Sequence, residues 1–379
     1  MSITVKEVLN KKDLKTFVKL PFPMYKGSPY WVPQLIHDDM EIFNKEKNPA
    51  FENADARLFL AYRDGRPVGR VAAIHSRVAN RKYKTKNLRF GWFDAPDDPE
   101  VAAALFGSVE GWARELGMET VTGPHGFCDL DPQGMLVEGF DQEPTIAGYY
   151  NFPYYQRLVE NLGYAKDIDY IEFRTQVPAD MSAFPEKLLR LADRIQERGG
   201  FKLLHFNNKK EIMARVEEVF VVIDEAFEEI YGAVPLTHTQ VRYFIKKYFG
   251  FIDKDLVQVV VTDKNELVAF MLAMPSLTKA FQKANGHLFP FGVFHILRAL
   301  KKKNDVLDFY LAGIKKKYRG LGIDLLMVVQ MARGAVAKGF LFTESNQELE
   351  TNTKIQAQWK YFNPVQHKRK RIFKKVLTK

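Results

Sequence analysis

The chain carries one order of elements twice. Residues 58–74, LFLAYRDGRPVGRVAAI, read as a strand, a turn at Asp64-Gly65 and a second strand. Residues 257–274, VQVVVTDKNELVAFMLAM, have the same plan about 200 residues later, with the turn at Asp263-Lys264-Asn265. Alternating apolar positions around such a turn are the signature of a hairpin. The elements after each hairpin repeat as well: strand 88–93, helix 99–117, strand 118–124, helix 151–164 and strand 168–174 in the first half. The second half offers strand 306–314, helix 320–339, strand 340–345, helix 352–362 and strand 368–377. The helical stretches space their apolar residues by three and four. Asn151 and Asn352 stand at matching places, where each is expected to cap its helix. The repeat predicts an α/β chain with a mixed sheet, built as two domains, 1–177 and 178–379, each large enough to hold a core.

Composition narrows the setting. A single cysteine, Cys128, excludes an internal disulfide framework and reads as a small buried hydrophobe in a reducing compartment. The opening segment MSITVKEVLNKKDLKTF is charged throughout, and no long uncharged apolar run exists, so a cytoplasmic location without a transmembrane span is expected. The net charge is +10, and the basic residues gather in LKKKND (Lys301 to Lys303), IKKKYRG and HKRKRIFKK. Such clustering points to a small polyanionic ligand more than to a long nucleic-acid stripe.

The chemically informative stretch is LAGIKKKYRGLGIDLL, residues 311–326. A strand ends, a basic turn carries Arg319-Gly320-Leu321-Gly322, and an apolar helix begins at once. Amides at a helix start are unsatisfied and carry partial positive charge, and glycines let a diphosphate approach them. In the first half the matching stretch is FDAPDDPEVAAALF, with Asp94, Asp97 and Asp98 and no glycine pair, so it is expected to repel such a ligand.

With strand, basic turn, glycine pair and helix in that order, YRGLGIDLL resembles the acetyl-CoA signature of the GNAT acyltransferase superfamily. Lys317, Gly320 and Gly322 fall on its positions. The helix opening at Asn352 resembles the superfamily's second hallmark. The resemblance implies two tandem GNAT-like domains, the first degenerate, with the sheet splayed between two strands. It implies that Ala312 and Ile314 lie along the pantetheine arm of acetyl-CoA or a longer acyl-CoA. Lys317, Arg319, Gly320, Leu321, Gly322, Ile323 and Asn352 would then hold the rest of that co-substrate. It further implies direct acyl transfer to a small amine, which needs a base and an acid. Where many members place a Tyr acid, this chain has Trp359. Tyr361 follows two residues on, about 200° around the helix. Glu344, at the end of its strand, and Glu350, before the Asn352 helix, are the candidate bases.

Two further segments call for placement. The loop 123–140, with His125, Asp129 and Asp131, matches no standard metal-ligand spacing, so no metal is expected there, and it is expected near the junction of the halves. The insertion 278–305 is aromatic and then basic, and reads as a lid over an apolar pocket, a weak membrane-surface contact, or a packed connector. Two other functions fit the same pattern: a Fem-type transferase using aminoacyl-tRNA, and a non-catalytic CoA-binding protein.

Overall fold

In the computed structural model, which describes residues 2–301 and 304–378, the two hairpins fall where the alternation puts them. Fourteen strands are present among these residues: β1 Ile3–Glu7, β2 Ala54–Arg63, β3 Arg66–Ser76, β4 Asn87–Asp94, β5 Thr120–Gly123, β6 Met135–Glu138 and β7 Ala165–Gln176 in the first half; then β8 Phe201–Leu204, β9 Val257–Thr262, β10 Leu267–Pro275, β11 Val306–Ile314, β12 Phe342–Glu344, β13 Glu348–Leu349 and β14 Val365–Val376. Each half runs four antiparallel strands into a parallel pair. β1 to β4 lead to β4 beside β5, and β8 to β11 lead to β11 beside β12. A helix joins each parallel pair, as the crossover geometry requires. Pro99–Glu115 buries Val101, Leu105, Phe106, Val109 and Trp112, and Ile323–Lys338 buries Ile323, Leu326, Met327 and Met331.

The two sheets are one. The order is β1-β2-β3-β4-β5-β14-β7-β12-β11-β10-β9-β8. The strand from Lys368, expected to complete the second half, instead lies between β5 and β7 of the first. β7, in turn, closes against β12 of the second half. Each half therefore lends its last strand to the other, and the sheet runs unbroken past residue 177.

This exchange corrects the reading of the basic run HKRKRIFKK. Those residues are β14, and their charges answer the carboxylates of β7. Lys368 lies opposite Glu172 and Arg371 opposite Asp169 in the register. The Lys368 ammonium is 2.7 Å from Glu172 and that of Lys370 is 2.9 Å away, while Arg371 donates to Asp169 at 2.8 Å. Burial alone would raise the Glu172 carboxyl, but Lys368 and Lys370 together hold it down at about 2. Asn151 is also corrected. Its helix starts at Tyr154, and the buried Asn151 amide instead bonds the Leu136 backbone at both its N–H and its carbonyl.

Removing one partner of a buried pair leaves an uncompensated charge, so Glu172→Gln is expected to cost about 3–5 kcal/mol in denaturant unfolding. The sign of the pH dependence is set by the same group. Because Glu172 is depressed in the folded state, its stabilisation is in place above its usual 4.5 and is lost as pH falls towards about 2. Acid titration of the parent and Glu172→Gln chains should show that contribution in the parent alone.

Candidate active site

β11 and β12 stay paired only from Val306/Phe342 to Asp308/Glu344. Beyond that point they diverge, because β11 carries an extra residue, Tyr310, opposite Leu272–Ala273 of β10. A bulge of this kind bends the strand and re-aims its side chains. The Tyr310 carbonyl turns to the opened side, where Asn346 Nδ2 donates to it at 3.0 Å. Further along the strand Ala312 is exposed and Ile314 half-buried.

The strand then enters a short 3-10 turn, Lys316–Tyr318, and the helix Ile323–Lys338. Gly320 and Gly322 both have left-handed backbone, φ 77° and 83°, which only glycine adopts at little cost. A Cβ at Gly320 would meet nothing, whereas one at Gly322 would overlap Ile195 of the helix Glu186–Glu197. Among the described residues the amides of Gly320 to Ile323 have no backbone carbonyl partner. Leu321 is exposed beside them. Asn352 caps its own helix, accepting from the Ile355 amide at 3.5 Å.

The charges around this turn differ from the expectation. Lys315 pairs with Glu266 at 2.8 Å, and Lys316 pairs with Glu228 and Glu229 at 2.7 and 3.0 Å. Arg319 Nη2 donates to the Ala226 carbonyl at 3.0 Å. Lys317 alone of the four has no carboxylate at ion-pair distance among the described residues, and lies 4.9 Å from the Tyr318 ring centroid. Lysine attraction is thus largely cancelled within the chain, and the amides remain. Lys302 and Lys303 lie outside the described residues.

The first half repeats the splay and then closes it. β4 has its own extra residue near Trp92, at φ 46°, and pairs with β5 only from Asn87/Thr120 to Arg89/Thr122. The loop after β5 fills the gap, with the His125 amide donating to the Phe90 carbonyl at 2.7 Å. At the helix start Asp98 accepts from the Glu100 amide at 3.0 Å and so occupies the position an anion would take. Asp97 pairs with Arg157, and Asp94 with buried Arg70 at 2.7 Å. What remains open is a cavity of about 60 Å³ lined by Trp92, Asp94, Tyr149 and Tyr155, room for a few waters.

The loop 123–140 does lie at the junction, and its polar groups serve the fold. Asp131 accepts from the Phe127 and Cys128 amides at 2.8 and 3.2 Å, and Asp129 from the Val234 amide at 3.1 Å. Burial, with Arg89 adding, lowers His125 to about 3. Burial pushes the Cys128 thiol well up, which disfavours a thiolate nucleophile.

At the vertex of the second splay the exchanged strand delivers a buried polar cluster. Glu344 lies beside Asp308 in the parallel register. The His367 Nε2 and the Lys368 ammonium approach Glu344 at 2.6 and 2.8 Å. The His367–Glu344 contact is close but not aligned as a hydrogen bond, so both atoms keep bonding capacity. Glu172, Glu344 and His367 converge as metal ligands do, but the Lys368 ammonium already sits against both carboxylates, at 2.7 and 2.8 Å. Burial raises Asp308 to about 7, with the Glu344 charge adding and a bond from Ser276 opposing. Across β11, the Trp359 indole N–H donates to Glu348 at 2.6 Å and its ring packs 5.9 Å from Phe309. Burial raises Glu348 to about 7 against that bond.

Of the candidate catalytic residues, only Glu344 joins this cluster. Glu350 instead ties β7 to β14, pairing with Lys166 at 2.7 Å and Arg369 at 3.3 Å. Tyr361 is exposed in the turn after its helix. Asp308, His367 and Glu348 were missed: His367 sits in a run that reads as a solvated charge cluster, and Asp308 in an otherwise apolar strand.

Two splayed halves joined in one sheet define a tandem GNAT fold. A solved tandem GNAT protein from the clavulanic acid biosynthesis pathway superimposes at TM-score 0.56, covering 99% of this chain and 98% of its own, at 11% identity. The GCN5-related N-acetyltransferase from Sphaerobacter thermophilus gives 0.50 over 99% and 95%, at 14% identity. No protein-family model matches the chain. Among curated proteins, the chain is 28% identical to Protein YghO of Escherichia coli strain K12, over 98% of this chain and 95% of that one. It is also 28% identical to the bacterial ceramide synthase of Caulobacter vibrioides, over 99% and 98%.

Asp308 gives a stability test of the cluster. Its pKa is raised on folding, so its favourable contribution holds below its usual 3.8 and is lost as pH rises through about 7. The stability of Asp308→Asn relative to the parent should therefore grow across that interval in denaturant titrations at fixed pH values.

Proposed function

We propose that this chain is an acyl-CoA-dependent N-acyltransferase whose donor site lies in the second half alone, and whose acceptor is the amine of a long-chain lipid. The observation that carries the reading is the asymmetry of the two splays: free amides at Gly320–Ile323 in one, and a carboxylate cap with a filled cleft in the other. The lipid acceptor rests on end-to-end similarity to a protein named as a ceramide synthase, since a ceramide is an N-acylated sphingoid base. It replaces the small amine that the sequence led us to expect.

In this reading the amides of Gly320 to Ile323 hold the diphosphate, with Lys317 adding charge. The open edge of β11 at Ala312 and Ile314 pairs the amides of the pantetheine arm. His367 takes the proton of the acceptor ammonium, and Glu344 stabilises the imidazolium that forms. The free amine attacks the thioester carbonyl, the C–N bond forms and the C–S bond breaks with no covalent enzyme intermediate, and the second proton that the nitrogen sheds replaces the one Glu348 gives to the leaving thiolate. Glu348, which holds its proton up to about 7, returns a proton to the thiolate. Trp359 at the usual acid position favours one alternative, a protein that binds CoA without turnover. Aminoacyl-tRNA as donor is disfavoured, because two of the three basic runs, IKKKYRG and HKRKRIFKK, have most of their charges paired within the chain.

Isothermal calorimetry tests the donor site. Gly320→Glu should weaken CoA binding by about 2–3 kcal/mol, on the order of 100-fold, while Asp97→Lys leaves it unchanged. Unchanged affinity in Gly320→Glu would overturn the assignment. Acylation of a sphingoid base by palmitoyl-CoA tests the chemistry: His367→Asn and Glu344→Gln should each lower kcat by about 10²–10⁴ with CoA affinity kept. CoA binding with no turnover of lipid or small amines would leave the non-catalytic alternative standing.

A further inference from the structure

The insertion 278–305 has two faces, and the acyl-transfer site uses neither. Its inner face packs on the first half. Leu277, Ala280, Phe281 and Ile296 form a buried cluster with Val32 and Leu35. Thr278 donates to the Pro144 carbonyl at 2.9 Å, Gln282 to the Pro29 carbonyl at 2.8 Å, and the Ile36 amide to the Gly286 carbonyl at 2.9 Å. The segment is therefore seated as the packed connector reading expects. Its outer face is another matter. Phe289, Phe291 and Phe294 are 72%, 71% and 64% exposed, with Leu297 beside them. Phe294 and Leu297 share one side of the helix Gly292–Lys301 whose other side buries Ile296.

Three large aromatics left in water at one place exceed what a connector needs. The charges of the segment itself are of one sign. Residues 278–301 contain Lys279, Lys283, Arg298 and Lys301 and no Asp or Glu. Lys279 is paired with Glu143, whereas Lys283, Arg298 and Lys301 are exposed. An apolar tip on a segment whose exposed cations have no carboxylate at ion-pair distance among the described residues is complementary to a bilayer surface of anionic lipids, where phenylalanines enter the acyl boundary and the cations meet headgroups. A second protein copy would instead have to supply an acidic rim.

We propose that Phe289, Phe291, Phe294 and Leu297, flanked by Lys283, Arg298 and Lys301, dock the protein on anionic membrane. No helix among the described residues is long and apolar enough to cross one, so the contact is peripheral. The start of the insertion is tied to the polar cluster: Glu143 pairs with Lys279 through its carboxylate, and its carbonyl accepts from Lys368 at 3.0 Å. The proposal stands apart from the acyl-transfer reading, because vesicle binding is measured without substrates.

The experiment is co-sedimentation of the full chain with vesicles of phosphatidylcholine alone or of an equimolar mixture with phosphatidylglycerol. The parent should sediment with the mixture, less with phosphatidylcholine, and release as salt rises. The variant Phe291→Ser/Phe294→Ser should lose about tenfold or more of its partition into the mixture. Arg298→Glu/Lys301→Glu should lose a similar factor on the mixture while keeping its weak binding to phosphatidylcholine. Circular dichroism on both variants should match the parent, since all four side chains are exposed. A parent that stays in the supernatant with both vesicle types overturns the proposal, as do variants that sediment like the parent. A lipid-free dimer that the Phe variants dissociate would also overturn it, by assigning the face to a second copy.

Discussion

The seam between β7 and β14 is the contact on which the rest of the molecule depends. Each strand belongs by sequence to one half and, among the described residues, pairs with strands of the other half alone. The pairing is specified by charge as well as by backbone: Lys368 and Lys370 meet Glu172, and Arg369 and Arg371 meet Asp169. A one-residue slip of β14 would turn these groups to the opposite face of the sheet and leave buried charges unpaired, so the seam also fixes register. The cost of burying such ions is met only while all partners are present.

The seam also supplies the polar cluster. His367 and Lys368 reach Glu344 only because β14 inserts beside β7, which is itself next to β12. The first half adds Gln142, 3.4 Å from His367 Nδ1, and the Glu143 carbonyl. A cluster placed at the second splay is thus built from both halves. That gives a physical reason for keeping a first half whose own cleft is closed by His125 and capped by Asp98.

Much of the fold was legible because it rests on local pattern. The hairpins, the two crossover helices and β11 follow from alternation, three-and-four spacing and turn residues, and the repeat showed up as a constant offset. The exchange was not legible, since a strand has the same signature whichever sheet receives it. For that reason HKRKRIFKK read as ligand-facing charge when its partners, Glu172 and Asp169, lie about 200 residues away. The site was half legible. The glycines at 320 and 322 announce a phosphate-type turn through local geometry, but the carboxylates that neutralise Lys315 and Lys316 come from elsewhere in the chain. His367 and Asp308 gain their environment only from tertiary packing, so no local signal separates them from ordinary residues. Asn151 shows the same limit, matching Asn352 in sequence while its amide serves the Leu136 backbone instead of a helix cap.

On the proposed function, two copies of one plan have diverged into a half that would hold acyl-CoA and a half that would not. Backbone hydrogen exchange read by mass spectrometry, with and without CoA, addresses it directly. The account predicts slowed exchange across 312–326, where the amides of Gly320 to Ile323 lack partners, and none across 91–101, where Asp98 already caps the helix. Protection at 91–101, or bound CoA that leaves 312–326 exchanging as before, would contradict it.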